Sequence, residues 1–381
     1  MKNKANFVII GGGVVGLSIA YNLAKRGIKD IVLIEKSYLG SGATGRCGAG
    51  VRQQWGTKQN CLLAKESMKV FENFKDILQI KRDIELKQKG YLLLAYSAKE
   101  LEQFKKNLEV QHSLNIPSVL LTPQQAKEMV PDLNIENLVG AAFCPKDGHA
   151  NPFQVTFGYA EASQQLGVEI NKFTEVIDIK TRNNKILGVQ TNKGFIETQK
   201  VIVAAGGWTQ EIAKMVGIDL PIFSERHEIL VTETVKKILD PMLMSFSYNI
   251  YCQQTPEGSF IMGYGPEGEP PSYNMDSSWE FLEIMSKKAT FLLPPLKNIR
   301  IIRQWAGLYN MSPDKQPIVS KIDQMEDFYV ACGFSGHGFM LAPALGVLMA
   351  DIVTESELTY DVVLDIGRFE RGEIIAEPSV V

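Results

Sequence analysis

Residues 7–16 read Phe-Val-Ile-Ile-Gly-Gly-Gly-Val-Val-Gly, and Glu35 closes a second apolar run 19 residues after Gly16. Residues 7–10 have the composition of a short buried strand. Residues 14–26 have helical spacing, with Val15, Leu17, Ala20, Leu23 and Ala24 on one side and Gly27 as the stop. Residues 31–34 form the next strand. The spacing Gly11, Gly13, Gly16 is therefore a Gly-x-Gly-x-x-Gly fingerprint inside a strand–helix–strand unit. Such glycines let the backbone turn sharply and approach a pyrophosphate at a helix N-terminus, where free N–H groups and the helix dipole favour an anion. An acid at the position of Glu35 accepts from a ribose hydroxyl. The competing reading, an ordinary glycine-rich turn, does not account for strand, helix, strand and acid in register. Alone, the fingerprint fits NAD as well as FAD.

The 381 residues suffice for two or three domain-sized units. The net charge of −3 gives no polyanion-binding signature, so nucleic acid is not an expected partner. No apolar run reaches the length of a membrane-spanning helix, and no integral membrane segment is expected. The first apolar run is broken by glycines and carries no small-residue cleavage site, so it does not read as a signal peptide. A cytoplasmic protein is expected. The five cysteines, Cys47, Cys61, Cys144, Cys252 and Cys332, are scattered and odd in number, which fits reduced thiols. The four histidines, His112, His149, His227 and His337, show no metal spacing, and no metal is expected.

Residues 41–50 are dense in glycine and read as a loop without helix or strand. The loop follows Glu35 directly and is expected to pass the remainder of the nucleotide. One long amphipathic helix is expected next, with Ala64, Met68, Phe71, Phe74 and Leu78 on its buried side. Residues 84–140 read as an α+β insertion, with a strand at 91–95, a helix through Leu101, Phe104 and Leu108, and a capping box at Thr122-Pro-Gln-Gln125. A helix over 153–166 precedes a β-meander from 168 to 205. Residues 221–310 alternate like a larger antiparallel sheet, and 263–271 are too irregular for an element, read as a surface loop before a mobile lid. A strand at 328–331 leads into Cys332-Gly-Phe-Ser-Gly-His-Gly-Phe-Met340 and a helix over 341–353, with Pro343 in its first turn. This second glycine turn and helix start suits a group that becomes negative during reaction, such as a flavin ring, and together with residues 41–50 it favours FAD over NAD.

With these motifs the chain resembles the D-amino-acid-oxidase-like family of FAD enzymes, which includes glycine oxidase, sarcosine oxidase and the β subunits of heteromeric sarcosine oxidases and dye-linked L-proline dehydrogenases. The resemblance runs from Asn6 to about Gly372. It is carried by residues 8–16 with Glu35, 40–52, 201–208, Trp305-Ala-Gly with Ser312-Pro-Asp314, and 332–343. Residues 46–54 and 333–340 are most similar to the proline dehydrogenase β subunits. The resemblance implies an α/β fold: a Rossmann-like FAD-binding domain with a central parallel sheet and β-meander (1–83, 141–220 and 311–381). A substrate domain on a large, mostly antiparallel sheet would take 84–140 and 221–310.

The resemblance also implies the site. Non-covalent FAD would meet Gly11, Gly13, Val14, Val15, Gly16, Glu35 and Lys36 at its adenosine end, with the backbone of Val176 at the adenine. Its middle would meet Gly42, Ala43, Thr44, Arg46, Cys47 and Gly48, with Ala205, Gly206 and Trp208 alongside. The ring would lie against Gly333, Gly336, His337, Gly338, Phe339 and Met340. The implied reaction is oxidation of a small α-amino acid of the L-proline, sarcosine or glycine type. A hydride equivalent passes from Cα to flavin N5 and leaves an imine. Three departures matter: Tyr309 stands where glycine and D-amino-acid oxidases place an arginine, Met340 where monomeric sarcosine oxidases place a lysine, and Gly307 where they tether FAD through a cysteine. Arg52 is then the expected carboxylate clamp. Tyr251, His337 and His227 are the further catalytic candidates. An α subunit or electron-acceptor protein is the expected partner, and FMN at their interface stays open as a second cofactor; heterotetrameric sarcosine oxidases attach FMN to a histidine near the position of Pro152, with which His149 is out of register, so no covalent FMN is expected. A stand-alone peroxide-forming oxidase and a flavin-bearing subunit without turnover are the alternatives.

Overall fold

Two sheets organise the chain. In this computed structural model, which describes residues 1–265 and 268–379, the first sheet has six strands in the spatial order Ile318–Lys321, Phe328–Cys332, Lys200–Val203, Phe7–Ile10, Ile31–Ile34 and Glu169–Asn171. All neighbours run parallel except the edge strand Ile318–Lys321. Its central strands are buried on both faces, which is why they read as unbroken apolar runs. The first helix, Val14–Lys25, packs against the helices Pro152–Gln165 and Gly338–Val353 on one face of this sheet. Its approach to the last of these is close: a Cβ on Gly346 would sit 2.1 Å from Ser18 Oγ.

The second sheet has eight strands in the order Ile301–Met311, Phe223–Thr232, Phe260–Tyr264, Ile250–Gln254, Met242–Ser245, Tyr91–Ala95, Gly140–Cys144 and Val119–Leu121. Pairing is antiparallel except between Tyr91–Ala95 and Met242–Ser245. The expected fold class is thus the observed one. Gly140–Cys144 pairs inside this second sheet, so the inserted strands extend past residue 140.

Four local expectations are corrected. The glycine-dense stretch 41–50 contains a 3₁₀ turn, Ala43–Arg46, and Gly45 N–H also reaches back to the carbonyl of Gly40 at 2.8 Å. The long helix after it is two: Lys58–Glu72 ends at Asn73, and Phe74–Leu78 follows. The meander is confined to Val176–Arg182, Lys185–Thr191 and Gly194–Glu197, while the strands on either side of it join the parallel sheet. The last helix begins at Gly338, three residues early, which puts Pro343 in its second turn. Ser67 Oγ, 3.2 Å from the Ala344 N–H and 3.3 Å from the Leu341 carbonyl, bridges the backbone where the proline interrupts it. In the irregular stretch 263–271, residues 263 and 264 end a strand and 266–267 lie outside the described residues.

Candidate active site

One long cleft runs between the two sheets, from the first glycine turn to the start of the helix Gly338–Val353. At its first end, Gly11 has φ +119°, and a Cβ there would lie 2.3 Å from the Ala204 carbonyl oxygen. Gly13 faces the cleft with only Thr44 Oγ1 near its missing Cβ, so backbone is open to a ligand there. The helix that follows has no side-chain cap and no acidic residue in its first turn. Val14 N–H donates to Thr44 Oγ1 at 3.2 Å, and the positive end of the helix, with no acid beside it, favours an external anion. Glu35 is braced: Oε2 accepts from Gly12 N–H at 2.8 Å, and Oε1 from Ser37 N–H at 2.8 Å and Ser41 Oγ at 3.2 Å. Val14, Val15 and Val176 line this end. Ala205 and Gly206 form part of the wall, where Lys36 Nζ sits 3.6 Å above the Trp208 ring.

The middle of the cleft is lined by Gly42, Ala43, Thr44, Arg46, Cys47 and Gly48. Arg46 ties this turn to the second sheet. Its Nη1 donates to the Ala306 carbonyl at 3.0 Å, and its own carbonyl accepts from Trp305 Nε1 at 3.0 Å. Burial pushes the Cys47 thiol up to about 11, so it is a protonated thiol donating to the Thr44 carbonyl.

At the far end, Gly336, His337, Gly338, Phe339 and Met340 form the wall. The helix they open again lacks a side-chain cap and a first-turn acid. His337 meets the Trp55 ring edge-on at 4.5 Å and 89°. Burial, with Arg52 and Lys315 adding, takes its imidazole down to about 3, so it is neutral. Two expected cofactor residues do not line the cleft. A Cβ on Gly16 would sit 2.1 Å from the Gly11 carbonyl oxygen, so Gly16 permits helix and strand to touch behind the wall. Gly333, at φ +67°, donates its N–H to Asn310 Oδ1 at 2.7 Å and shapes the turn from behind.

The four catalytic candidates, Arg52, Tyr251, His227 and His337, converge on this end, joined by Tyr91, Met242, Met244 and Tyr309. Arg52 is 3% exposed, lies 4.0 Å over the Trp55 ring, and donates to the carbonyls of Gln54 and Ser379. Among the described residues it has no carboxylate ion pair. Burial holds Tyr91 and Tyr251 above the usual phenol range and lifts Tyr309 to about 12, so all three are neutral hydroxyls. His227 stacks on Tyr309, and its Nε2 is 3.0 Å from Glu225 Oε1. Tyr91, Met242 and Met244 went unrecognised in the sequence. Their strands are buried throughout, so no alternation distinguishes a cleft-facing residue from a core one. Among the described residues no cluster of histidine, cysteine and carboxylate side chains could hold a metal, and no helix is long and apolar enough to cross a membrane.

A nucleotide fingerprint at one end of a cleft, an uncapped helix start at the other and a buried cation beside neutral tyrosines define an oxidoreductase that uses an extended dinucleotide cofactor. The chain belongs to the FAD dependent oxidoreductase family, whose model matches residues 6–352. Sarcosine oxidase subunit beta of Rhodobacter capsulatus is 29% identical, over 99% of this chain and 91% of its own length. The crystal structure of L-proline dehydrogenase from P. horikoshii is 40% identical with a TM-score of 0.93, covering 98% of this chain and 100% of that one. Glycine oxidase from Geobacillus kaustophilus shares the fold at 24% identity and a TM-score of 0.87, over 96% of this chain and 99% of that one. FAD fits what the cleft offers: a glycine floor that a Cβ would obstruct, a braced acid beside it and two open helix N-termini.

Proposed function

We propose that this chain oxidises a small α-amino acid of the L-proline, sarcosine or glycine type at its Cα–N bond, releasing an imine. The observation that carries the reading is Arg52, a buried guanidinium in the cleft wall without a carboxylate partner among the described residues. Burial disfavours the charged guanidinium, Glu377 and Asp147 offset this only from beyond ion-pair distance, and a substrate carboxylate that docks there supplies a direct partner. Neutral His337 and the phenols of Tyr91, Tyr251 and Tyr309 surround the substrate without adding a competing anion. Met242 and Met244 give it an apolar wall that suits a ring or methyl group. FAD, held non-covalently by the residues described above, supplies the two-electron acceptor. In this reading His227, which Glu225 meets at 3.0 Å, takes the amine proton, so that substrate reacts uncharged.

The same proposal makes the chain the β subunit of a heteromeric dehydrogenase or oxidase, with an α subunit or acceptor protein as partner and FMN at their interface. The name of the R. capsulatus relative, a subunit beta, supports the heteromeric reading, as does Tyr309 in the place where the stand-alone oxidases carry an arginine. The test is anaerobic titration of purified protein with L-proline, sarcosine, glycine and D-alanine. Bleaching of the flavin by one of them is expected, and a spectrum unmoved by all four sinks the substrate assignment. Rapid peroxide release by the isolated chain would favour the stand-alone oxidase instead. Flavin extracted from the co-purified assembly reports FMN directly.

A further inference from the structure

We propose that the segment 377–379 is a positioning element for Arg52 and sets how tightly the chain binds its substrate's carboxylate; this rests on the reading of Arg52 as the clamp. The segment lies more than 300 residues from Arg52 in sequence and meets it from behind the cleft wall, which it does not itself line. The Ser379 carbonyl accepts from Arg52 Nη2 at 2.9 Å, opposite the Gln54 carbonyl, which accepts from Nη1 at 3.1 Å. The guanidinium is thus gripped by two neutral acceptors on its edge and by the Trp55 ring on its face, at 4.0 Å. The two carbonyls orient the group, Glu377 and Asp147 act on its charge only from beyond ion-pair distance, and of the five guanidinium N–H donors three remain for a ligand.

The grip depends on how the segment itself is held. Glu377 is 7% exposed and collects five donors: the N–H groups of Gly56, Thr57 and Ser379, the Thr57 hydroxyl and Asn60 Nδ2, at 2.8 to 3.0 Å. Ser379 Oγ accepts from Asn107 Nδ2 at 3.0 Å. Pro378 packs so close to Gly56 that a Cβ on Gly56 would lie 2.2 Å from its Cγ. Residues 56–60 follow Arg52 directly, and Trp55 Nε1 donates to the Arg52 carbonyl at 3.0 Å. Glu377 therefore fastens the segment to the same stretch of backbone that carries the clamp. A buried, fully occupied carboxylate makes a rigid fastening, and a clamp works only when its own orientation is fixed.

The experiment compares full-length holoenzyme with Glu377→Gln, a chain ending at Ala376 and Arg52→Lys, using the amino acid that bleaches the flavin and acetate as a carboxylate that is not oxidised. Loosening the segment removes orientation and leaves the reacting groups in place. Glu377→Gln and the shortened chain are expected to raise KM and the acetate dissociation constant about tenfold, with kcat within about threefold of the parent and FAD content unchanged. Glu377→Asp, which keeps the charge, is expected to recover much of the affinity. If the shortened chain fails to hold FAD, Glu377→Gln decides. Arg52→Lys weakening both ligands while Glu377→Gln moves neither overturns the positioning role and leaves the clamp standing. No effect of Arg52→Lys overturns the clamp itself. A fall in KM on loosening the segment also overturns the proposal, since it would make the segment a plug that competes with substrate.

Discussion

His227 lies flat on Tyr309, with ring centroids 3.5 Å apart and planes within 8° of parallel. The two residues face each other from neighbouring strands, offset by two positions, and Glu225, in register with Tyr309, fixes His227 from the side. Tyr309 is thus immobilised in the cleft wall. Replacing His227 with leucine removes both the stack and the tie to Glu225. A positioned proton acceptor contributes about 10²–10⁴-fold, so kcat/KM is expected to fall at least about a hundredfold. Steady-state kinetics on protein of equal FAD content checks this, and an unchanged kcat/KM would remove His227 from the site.

Glu35 has one acceptor committed to Gly12 N–H and the other shared between Ser37 and Ser41. It therefore holds the glycine turn as well as lining the cleft. Glu35→Ala leaves the Gly12 N–H without its partner and removes a charged acceptor. Such hydrogen bonds are worth about 1.5–3 kcal/mol, so FAD affinity is expected to fall by about tenfold to a hundredfold. Titrating apoprotein with FAD, followed by quenching of flavin fluorescence, measures it; parent-like affinity would separate the acid from cofactor binding.

Asp314 and Arg368 form a two-pronged pair, both contacts at 2.9 Å and both side chains fully buried. The pair ties the Ser312-Pro-Asp314 turn to the chain beyond the last helix. Arg368→Met strands a buried carboxylate, a loss of about 3–5 kcal/mol when one partner of such a pair is removed. A drop in the urea midpoint with an unchanged slope is expected. Loss of less than about 1 kcal/mol would show that Asp314 finds water instead.

How much of this was legible in the sequence follows from what each residue needs. Gly11, Gly13 and Glu35 could be read directly, because the turn, the open backbone and the acid are local demands inside one strand–helix–strand unit. Gly16 and Gly333 were read as cofactor contacts, yet they serve chain packing behind the wall; a spacing motif does not distinguish the two uses. The break at Asn73 and the 3₁₀ turn at Ala43–Arg46 were missed because tertiary contacts, not propensity, decide them. The start of the last helix was set late because Pro343 reads as a first-turn residue unless the Ser67 bridge, 276 positions away, is known. Arg52 was found through resemblance, while its partner Ser379 offers only a carbonyl, which every residue has.

His337, buried, and His149, half-buried, give the fold a directional response to acid. Burial takes His337 down to about 3 and His149 to about 4, from the ordinary 6.5. Both stay neutral in the folded chain while the unfolded chain protonates them as pH falls through 6.5. Their contribution is complete above that pH and is lost progressively as pH drops toward 4 and then 3. Asp147 runs the other way. Burial raises its carboxyl from 3.8 to about 6, so its contribution is complete below 3.8 and is lost as pH rises to 6. Two histidines outweigh one aspartate between pH 6.5 and 5, where each histidine shifts stability by about 2 kcal/mol at most. The parent is therefore expected to lose stability on acidification across this window. His337→Gln removes one of the two slopes and is expected to lose about half as much as the histidines together cause. Urea unfolding at pH 6.5 and pH 5 on FAD-loaded protein reads both, and an identical pH slope in parent and variant would mean that His337 is already protonated, or solvated, in the folded state.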